Sequence, residues 1–295
     1  MKNGKLTVLA PAKINLYFGV IGVRGDGYHE IETILQTIDL FDRIKVEVSS
    51  GDENTVRVKC GCLENVSERE NIAYKAAMRY IEKANLEKTV VDICIDKKIP
   101  SGSGLGGGSS DAAAVLLALS YLDGDKFTLA ELMDIGATIG ADVPFCIKKG
   151  TAKATGFGEI VAGCTPMPDC RILIAVPKGE KTVTAEAYAK FDDAGYPSTF
   201  EKSLGSLETC DFSEIVKYMK NDFENVTKES SASMKIKKIL LSSGAIAAQM
   251  SGSGPSVFGI FSSQAEAKRA AELTDGLADV YICSPARRDF AYFEK

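Results

Sequence analysis

Residues 99–114 read I-P-S-G-S-G-L-G-G-G-S-S-D-A-A-A and are the part of the chain whose residue types best suit chemistry. Glycine has no Cβ, so the backbone N–H groups of such a loop can approach a phosphate closely. The apolar run at residues 112–119 predicts a helix after the loop, and a helix N-terminus adds N–H donors and the positive end of a dipole. This stretch therefore predicts a loop that binds the phosphates of a nucleotide. Its glycines are Gly102, Gly104, Gly106, Gly107 and Gly108.

The side chains that follow the glycines also suit a phosphate site. Ser109, Ser110 and Asp111 occupy positions at which the first turn of the helix needs capping oxygens, so we expect them to act as caps. The two Ser hydroxyls can in addition reach a phosphate that carries Mg²⁺.

Three other kinds of glycine-rich segment match this stretch less well. A flexible surface linker rarely joins a strand directly to an alanine-rich helix. A dinucleotide-binding loop would use the G-x-G-x-x-G formed by Gly102, Gly104 and Gly107, but it also requires an acidic residue after a second strand about 20 residues on. Residues 121–126 lie there and follow a helix instead. A Walker loop is excluded because the stretch contains no Lys.

Candidate chemical groups also lie outside the loop. Asp142 stands in G-A-D-V-P, where small neighbours let a ligand approach and Pro144 restrains the backbone. From the residues alone, Asp142 is equally a catalytic carboxylate or a turn-forming Asp that bonds its own backbone. His29 is the only histidine, and no pattern around it provides the partners of a serine-type triad. Lys13 and Lys97, taken by themselves, are typical of charges at the ends of strands.

Composition restricts the class of protein. With 295 residues the chain can form two lobes, each with its own core. The 35 basic and 40 acidic residues give a net charge of −5, which argues against nucleic acid as a partner. Eight cysteines without a C-x-x-C pair, together with a single His, argue against a zinc site and indicate buried thiols in a reducing compartment.

The hydrophobic segments are short. The apolar run near the N-terminus ends at Pro11 and Lys13, which is too short for a signal peptide. No later apolar stretch reaches the length that a membrane-spanning helix needs. The chain is therefore predicted to be cytoplasmic and to bind no membrane.

Strands and helices alternate in the second half of the chain, which fits an α+β lobe packed on a strand-rich first lobe. Residues 44–48 and 56–60 indicate a hairpin around a turn at 51–54, whereas residues 31–38 have the spacing of a helix. The other expected strands are 6–10, 14–21, 90–95, 145–149, 151–155, 171–176 and 280–283. The expected helices are 71–84, 112–119, 129–139, 184–191, 212–219, 232–241 and 265–273.

Three segments in this order resemble the motifs of the GHMP superfamily of small-molecule kinases, which includes the galactose, homoserine, mevalonate and phosphomevalonate kinases. They are P-A-K-I-N-L at residues 11–16, the glycine loop, and M-S-G-S-G-P-S at 250–256. The likeness covers nearly the whole chain, and the combination is far more specific than any one segment. The resemblance implies an ATP-dependent kinase.

Within this superfamily, G-L-G-G-G-S-S and P-A-K-I-N-L, together with R-G-D-G-Y-H at residues 24–29, are similar to the branch that acts on a cytidine diphosphate sugar alcohol, 4-diphosphocytidyl-2-C-methyl-D-erythritol. This likeness implies phosphorylation of the 2-hydroxyl, giving the 2-phosphate and ADP, in the non-mevalonate route to isoprenoid precursors. The implied ligands are ATP, Mg²⁺ and the small-molecule substrate. We expect a monomer or a weak homodimer that binds no nucleic acid.

The resemblance also implies a fold. It is an α+β, two-lobed kinase fold with an N-terminal α/β lobe that binds ATP, a C-terminal α+β (ferredoxin-like) lobe, and the active site in the cleft between them. Because Gly and Pro punctuate residues 163–168, we place the lobes at 1–160 and 161–295. In this fold residues 31–38 are extended, which their β-branched side chains favour.

Roles follow for individual residues that match the family's motifs. Asp142 is implied to accept the proton of the attacking hydroxyl, with Lys13 paired to it. Tyr28 and Tyr188 are implied to stack on the two faces of the cytosine ring, and His29 to hydrogen-bond its polar edge. The residues implied to bind polar parts of the substrate are Asn15 and Thr184. Those implied to bind ATP are Asn71, Ile72, Lys97, Pro100, Ser101, Gly102, Ser103, Gly104, Leu105, Gly106, Gly107, Gly108, Ser109 and Ser110. The resemblance points to no protein carboxylate that would bind the metal.

Overall fold

Strands and helices alternate along the chain. The structure is a computed structural model that describes residues 3–25, 27–61, 68–180, 182–195, 212–287 and 293–294. The strands of this part are β1 (Gly4–Val23), β2 (His29–Ser50), β3 (Thr55–Cys60), β4 (Thr89–Asp96), β5 (Thr151–Thr155), β6 (Ile160–Gly163), β7 (Arg171–Pro177), β8 (Ala247–Met250), β9 (Val257–Phe261), β10 (Ala278–Cys283) and β11 (Phe293–Glu294). The helices are α1 (Ile72–Ala84), α2 (Gly107–Leu122), α3 (Leu129–Ala137), α4 (Val143–Lys148), α5 (Thr184–Ala194), α6 (Phe212–Tyr218), α7 (Ala232–Ser242) and α8 (Gln264–Leu273), with 3₁₀ turns at Glu68–Glu70 and Asp222–Val226.

The larger sheet has seven strands in the described residues. Its path is β11-β1-β2-β4-β3, with β5 beside β2 and β6 beside β5. β1 and β2 pair antiparallel from Gly4↔Val48 to Val23↔His29, so one long strand replaces the two expected at residues 6–10 and 14–21. The strand continues past Pro11 because the register shifts between Pro11 and Lys13, and a bulge tolerates proline within a sheet.

Residues 31–38, for which the spacing predicted a helix and the family resemblance a strand, lie in β2. This segment is extended, as the family resemblance implied, and it pairs with both β1 and β5. A strand that is buried on both faces has apolar residues at many positions, and over eight residues these can match the spacing of a helix by chance.

The hairpin expected from residues 44–48 and 56–60 is not formed. β3 pairs in parallel with β4, from Thr55↔Val90 to Cys60↔Ile95, and β4 lies between β2 and β3. The reason is that α1 connects β3 to β4, and parallel neighbours require such a crossover. As a result, β4 is an inner strand whose C-terminal end leads directly to the glycine loop.

The strand expected at residues 145–149 is also wrong, because residues 145–148 lie in α4 and Lys149 is its C-cap. Pro144 stands in the first turn of α4, where its fixed φ favours a helix and its missing N–H costs nothing. Phe145, Cys146 and Ile147 are all buried, and a short, wholly apolar run does not distinguish a buried strand from a buried helix.

The core of the larger sheet is formed with α1 to α4. Alanines of α2 lie fully buried against it, among them Ala112 and Ala118, and their small side chains let this helix approach β1 and α1 closely. The smaller sheet is antiparallel in the order β10-β7-β9-β8, and α7 and α8 pack on it around Ile236 and Ala267. The α+β class expected from the sequence is therefore confirmed.

The cysteines only partly follow the expectation of buried thiols. Cys146, Cys170 and Cys283 are buried free thiols, whereas Cys94 is an exposed one and Cys60 a half-buried one. The expectation is wrong for Cys164, which is in a disulfide, and connectivity of cysteines cannot be deduced from sequence alone. Cys62 and Cys210 lie outside the described residues.

A helix that crosses a membrane needs about 20 mostly apolar residues. Within the described parts of the chain, no helix has both this length and this apolar character.

Candidate active site

The glycine loop lies between β4 and α2, as the sequence predicts. Gly102, Gly104 and Gly106 have φ values of +66°, +81° and +70°, a left-handed conformation that glycine adopts without strain. Gly106 is the N-cap of α2 and no side chain caps the helix. The expected caps are therefore wrong: α2 begins at Gly107, so Ser109, Ser110 and Asp111 lie inside it. The first-turn N–H groups are left for an anion from outside the chain.

Neighbouring groups crowd the positions that a Cβ would take on three glycines of the loop. A Cβ on Gly104 would lie 2.1 Å from the carbonyl oxygen of Ser251, and one on Gly106 would lie 2.8 Å from Cγ of Lys13. A Cβ on Gly107 would lie 3.0 Å from Cγ2 of Ile99. The loop is thus a fixed cradle rather than a flexible linker.

Lys13 and Asp142 are in contact. The Lys13 ammonium, on a residue that is only 5% exposed, lies 3.4 Å from Oδ2 of Asp142 and donates to Oδ1 of Asn15 at 2.8 Å. Asn15 in turn donates to Oγ1 of Thr33 at 2.8 Å, so its amide is fixed in the orientation that Lys13 needs. The ammonium therefore has a defined position, and the half-exposed carboxylate of Asp142 faces the cleft beside it.

Asp142 immediately precedes α4. Its backbone carbonyl accepts from Cys146 N–H at 3.0 Å, but its side chain makes no capping hydrogen bond to the helix. The alternative of an Asp that serves only its own turn is therefore not supported. Its carboxylate is paired with Lys13 instead.

The M-S-G-S-G-P-S segment packs directly on the glycine loop. Ser251 donates through its hydroxyl to the Gly104 carbonyl at 3.0 Å, and Ser256 donates through its N–H to the Ser103 carbonyl at 3.2 Å. The amide of Asn221 donates to the carbonyls of Met250 and Gly252, each at 2.8 Å. Two segments about 150 residues apart thus form one wall of the site.

Lys97 lies beneath the loop, between two carboxylates. Its ammonium donates to Oδ2 of Asp42 at 2.5 Å and to Oδ2 of Asp111 at 2.9 Å. Burial lowers the pKa of Lys97, but Asp111 and Asp42 together raise it above its ordinary value. Burial also raises the pKa of Asp111 to about 8, against the attraction of Lys97 and with the help of Asp42. Lys97 is therefore a charged residue held in a fixed position.

The N-terminus of α1 faces the loop across the cleft. Oδ1 of Asn71 accepts from Ala73 N–H at 2.9 Å and so caps α1. Cγ2 of Ile72 lies 3.4 Å from the position that a Cβ on Gly108 would take. Both residues line the cleft, as do Lys97 and the loop residues from Pro100 to Ser109.

Aromatic and polar side chains gather at the other end of the cleft. Tyr28 is 62% exposed, and its ring centroid lies 5.6 Å from that of Phe157. His29 stacks on Tyr188 at 4.2 Å, and its Nε2 lies 2.7 Å from Oδ1 of Asp192. Tyr188 therefore stacks on His29 in this structure, whereas Tyr28 lies against Phe157.

Thr184 closes this end of the cleft. Its hydroxyl lies 3.1 Å from that of Ser253, so α5 contacts the M-S-G-S-G-P-S segment. The cleft has a volume of about 1120 Å³, and every residue predicted for the site lines it except Asn15 and Ser110. Asn15 and Ser110 lie just behind the wall, both 1% exposed.

Sequence reasoning missed several partners of these residues. Asp42 lies 55 residues before Lys97, and Asp192 lies 163 residues after His29, so no local spacing connects them. Asn221 stands in a segment without any motif. The signal that could have found Asp42 is an acidic residue between the apolar runs at residues 31–38 and 44–48, which is weak on its own.

Within the described residues, no three His, Cys, Asp or Glu side chains stand together as a protein-held metal would require. Ser109 lines the cleft at the start of α2, and its hydroxyl is a group that could contact a phosphate-bound Mg²⁺.

Comparison with known proteins agrees with this geometry. The sequence profile described as GHMP kinases N terminal domain matches residues 71–150, and that described as GHMP kinases C terminal matches residues 204–273. A relative from Listeria innocua named 4-diphosphocytidyl-2-C-methyl-D-erythritol kinase is 39% identical over 95% of this chain and 96% of its own length. A relative of the same name from Geobacter metallireducens is 39% identical over 94% of this chain and 96% of its own length.

Solved structures show the same likeness. A crystal structure of 4-(cytidine 5'-diphospho)-2C-methyl-D-erythritol kinase superposes with a TM-score of 0.75 at 31% identity, over 94% of this chain and 98% of the other. A homoserine kinase from Cytophaga hutchinsonii also gives a TM-score of 0.75, but at 22% identity over 95% of each chain, and so shares the fold alone. Since the identity extends over nearly the full length of the relatives, the chain belongs to the 4-diphosphocytidyl-2-C-methyl-D-erythritol kinase family of the GHMP kinases.

Proposed function

We propose that this chain transfers the γ-phosphoryl group of ATP to the 2-hydroxyl of 4-diphosphocytidyl-2-C-methyl-D-erythritol. The products are the 2-phosphate and ADP, within the non-mevalonate route to isoprenoid precursors. The observation that carries the proposal is the 3.4 Å contact between Lys13 and Asp142 beside an uncapped glycine loop. The names of the full-length relatives identify the acceptor alcohol.

The reaction needs a proton acceptor at the attacking hydroxyl. Asp142 accepts that proton as the oxygen–phosphorus bond to the γ-phosphoryl forms and the bond to the β-phosphate oxygen breaks, with ADP as the leaving group. Lys13 fixes the carboxylate and stabilises the charge that develops on the alcohol oxygen. Phosphoryl transfer through a loose transition state depends more on position and charge than on a strong base. The ion pair supplies both.

The glycine loop binds the triphosphate. The N–H groups at the start of α2 and the positive end of the helix dipole face the phosphates of ATP. The loop is kept in place by close packing around Gly104, Gly106 and Gly107. Asn71, Ile72 and Lys97 form the adenine side of the site. Mg²⁺ supplies charge neutralisation when bound, held by phosphate oxygens and water.

The aromatic side chains at the other end of the cleft form the binding site for the cytidine part of the substrate. Tyr28 is exposed and available to stack on the cytosine ring, and His29 and Asp192 offer polar groups to its edge. Tyr188 contributes the second aromatic face once His29 turns toward the base. Asn15 and Thr184 bind polar parts of the substrate. The cytoplasmic location and the monomeric or weakly dimeric state stay predictions from the sequence.

The proposal is tested by ADP release from a panel of alcohols. We expect turnover with 4-diphosphocytidyl-2-C-methyl-D-erythritol and Mg²⁺-ATP, and at most background release with mevalonate or homoserine. The phosphorylated product should carry its new phosphate at the 2-position by ³¹P and ¹³C NMR. Equal or faster turnover of mevalonate or homoserine would overturn the assignment of the acceptor.

A further inference from the structure

The chain leaves the larger sheet just before the glycine loop. The last pair between β2 and β4 is Arg43↔Asp96, so the N–H groups of Lys98 and Ile99 lie beyond the ladder. Buried N–H groups need an acceptor. Asp42, on β2, provides it: its Oδ1 accepts from Lys98 N–H at 2.5 Å and from Ile99 N–H at 2.8 Å.

The second carboxylate oxygen of Asp42 holds the same segment. Oδ2 accepts from the Lys97 ammonium at 2.5 Å. Asp42 is completely buried, with an exposed fraction of 0%, so water does not compete for these bonds. One side chain therefore fixes three consecutive residues, 97–99, at the point where the strand becomes the loop.

This segment supports the start of α2. A Cβ on Gly107, the first residue of the helix, would lie 3.0 Å from Cγ2 of Ile99 and 3.1 Å from the Lys97 ammonium nitrogen. Lys97 and Ile99 thus lie directly beside the backbone of Gly107. The N–H groups that face the phosphates in the proposed function begin at this residue.

We propose that Asp42 is a positioning residue for the nucleotide: by holding residues 97–99 it sets where the N-terminus of α2 presents its N–H groups to the phosphates of ATP. The inference rests on the proposed binding of ATP at this loop. It concerns neither the acceptor alcohol nor the contact between Lys13 and Asp142.

The charges around Lys97 permit a matched comparison. Two carboxylates, Asp42 and Asp111, share one ammonium, so removing either leaves Lys97 with a partner. Only Asp42 also bonds the backbone of residues 98 and 99. A difference between Asp42→Ala and Asp111→Ala therefore reports the backbone bonds and not the loss of one contact with the Lys97 ammonium.

The experiment measures the Kd for Mg²⁺-ATP by calorimetry and the KM values for ATP and for the alcohol. We expect Asp42→Ala to raise the Kd for ATP at least about tenfold, equal to about 1.4 kcal/mol, and Asp111→Ala to raise it at most about threefold. The KM for the alcohol should stay within about threefold in both. Asp42→Asn keeps an oxygen for the two N–H groups and should restore most of the affinity. A merely structural role would lower the affinity for both substrates in parallel with the melting temperature.

Two safeguards keep the test decisive. Asp42→Thr fills more of the buried space if Asp42→Ala does not fold, and it cannot reach both N–H groups. Hydrogen exchange can be measured in the wild type, Asp42→Asn and Asp111→Ala, none of which is expected to be unstable. Slow exchange of the Lys98 and Ile99 amides in all three proteins supports the inference. Fast exchange of these amides in the wild type overturns it. Equal ATP affinity of Asp42→Ala and Asp111→Ala also overturns it. A wild type that does not bind ATP would instead refute the proposed function.

Discussion

The carbonyl oxygen of Ser251 lies so close to Gly104 that a Cβ on this glycine would be 2.1 Å away. Gly104 also has a φ of +81°, and its own carbonyl accepts from the Ser251 hydroxyl. The glycine loop and the M-S-G-S-G-P-S segment therefore meet backbone to backbone. A shift of either segment would therefore disturb the other.

Gly104→Ala should disrupt this contact. We expect it to lower the free energy of unfolding by about 2 kcal/mol more than Gly102→Ala, because the backbone of Ser251 has to move. Gly102 has a similar φ of +66° but no atom within 4 Å of its Cβ position, so it isolates the cost of the left-handed conformation. Chemical denaturation measures both. Equal losses for the two variants would contradict the close contact.

Asp142→Asn should separate binding from chemistry. We expect turnover to fall by at least about 10²-fold while ATP binding is retained, because the amide keeps the shape of the carboxylate but cannot accept the proton. Asp134→Asn makes the same chemical change on the exposed side of α3 and should leave turnover unchanged. Steady-state kinetics and ATP calorimetry give the two readouts. Turnover near that of the wild type would remove Asp142 from the catalytic role.

Tyr28→Ala should affect one substrate only. Loss of a stacking platform worth about 1–3 kcal/mol should raise the KM for the cytidyl alcohol by about tenfold or more, while the KM for ATP changes little. Tyr121→Ala is a suitable control, since Tyr121 is a comparably exposed tyrosine, on α2, and does not line the cleft. A rise in the KM for ATP alone would reverse the assignment of the two ends of the cleft.

The ionisation of Asp111 should be visible in the stability of the protein. Burial raises the pKa of its carboxyl from 3.8 to about 8, with Lys97 opposing and Asp42 adding to the shift. The native state keeps a proton that the unfolded chain has lost, so the stability contributed by this group is fully present below pH 3.8 and is lost as the pH rises through about 8.

Asparagine cannot ionise, so the stability of Asp111→Asn should not decrease in this way as the pH rises. We expect the melting temperature of the variant, relative to that of the wild type, to rise by roughly 2 °C or more between about pH 5 and about pH 8. Asp134→Asn should show no such trend. A difference between Asp111→Asn and the wild type that stays constant over this range would show that Asp111 is ionised throughout.

Removal of metal should act through the nucleotide. Because no cluster of three metal-ligating side chains occurs among the described residues, EDTA should leave the melting temperature of the nucleotide-free protein unchanged and abolish turnover. The Mg²⁺ concentration that restores turnover should increase with the ATP concentration. A melting temperature that falls on addition of EDTA alone would indicate a resident metal ion.

Local patterns in the sequence determined the elements whose signals lie within a few residues. The glycine loop between a strand and a helix is one, because glycine content and an alanine-rich run act over neighbouring residues. The spacing of motifs along the chain was likewise sufficient for the family and the GHMP fold. Asp142 beside Gly140 and Pro144 was recognisable as a candidate, although its role was open from the residues alone.

Only the tertiary structure decided which distant residues meet. The buried apolar run at residues 145–147 lies in a helix, which its residue types alone did not decide, and β3 paired with β4 because α1 carries the chain across. Asp42 reaches residues 97–99 only because β2 and β4 are neighbours in the sheet. Strand pairing and ion pairing over such separations depend on the whole packed chain. No window of sequence contains the two partners, and so the nucleotide site emerges only once the sheet has formed.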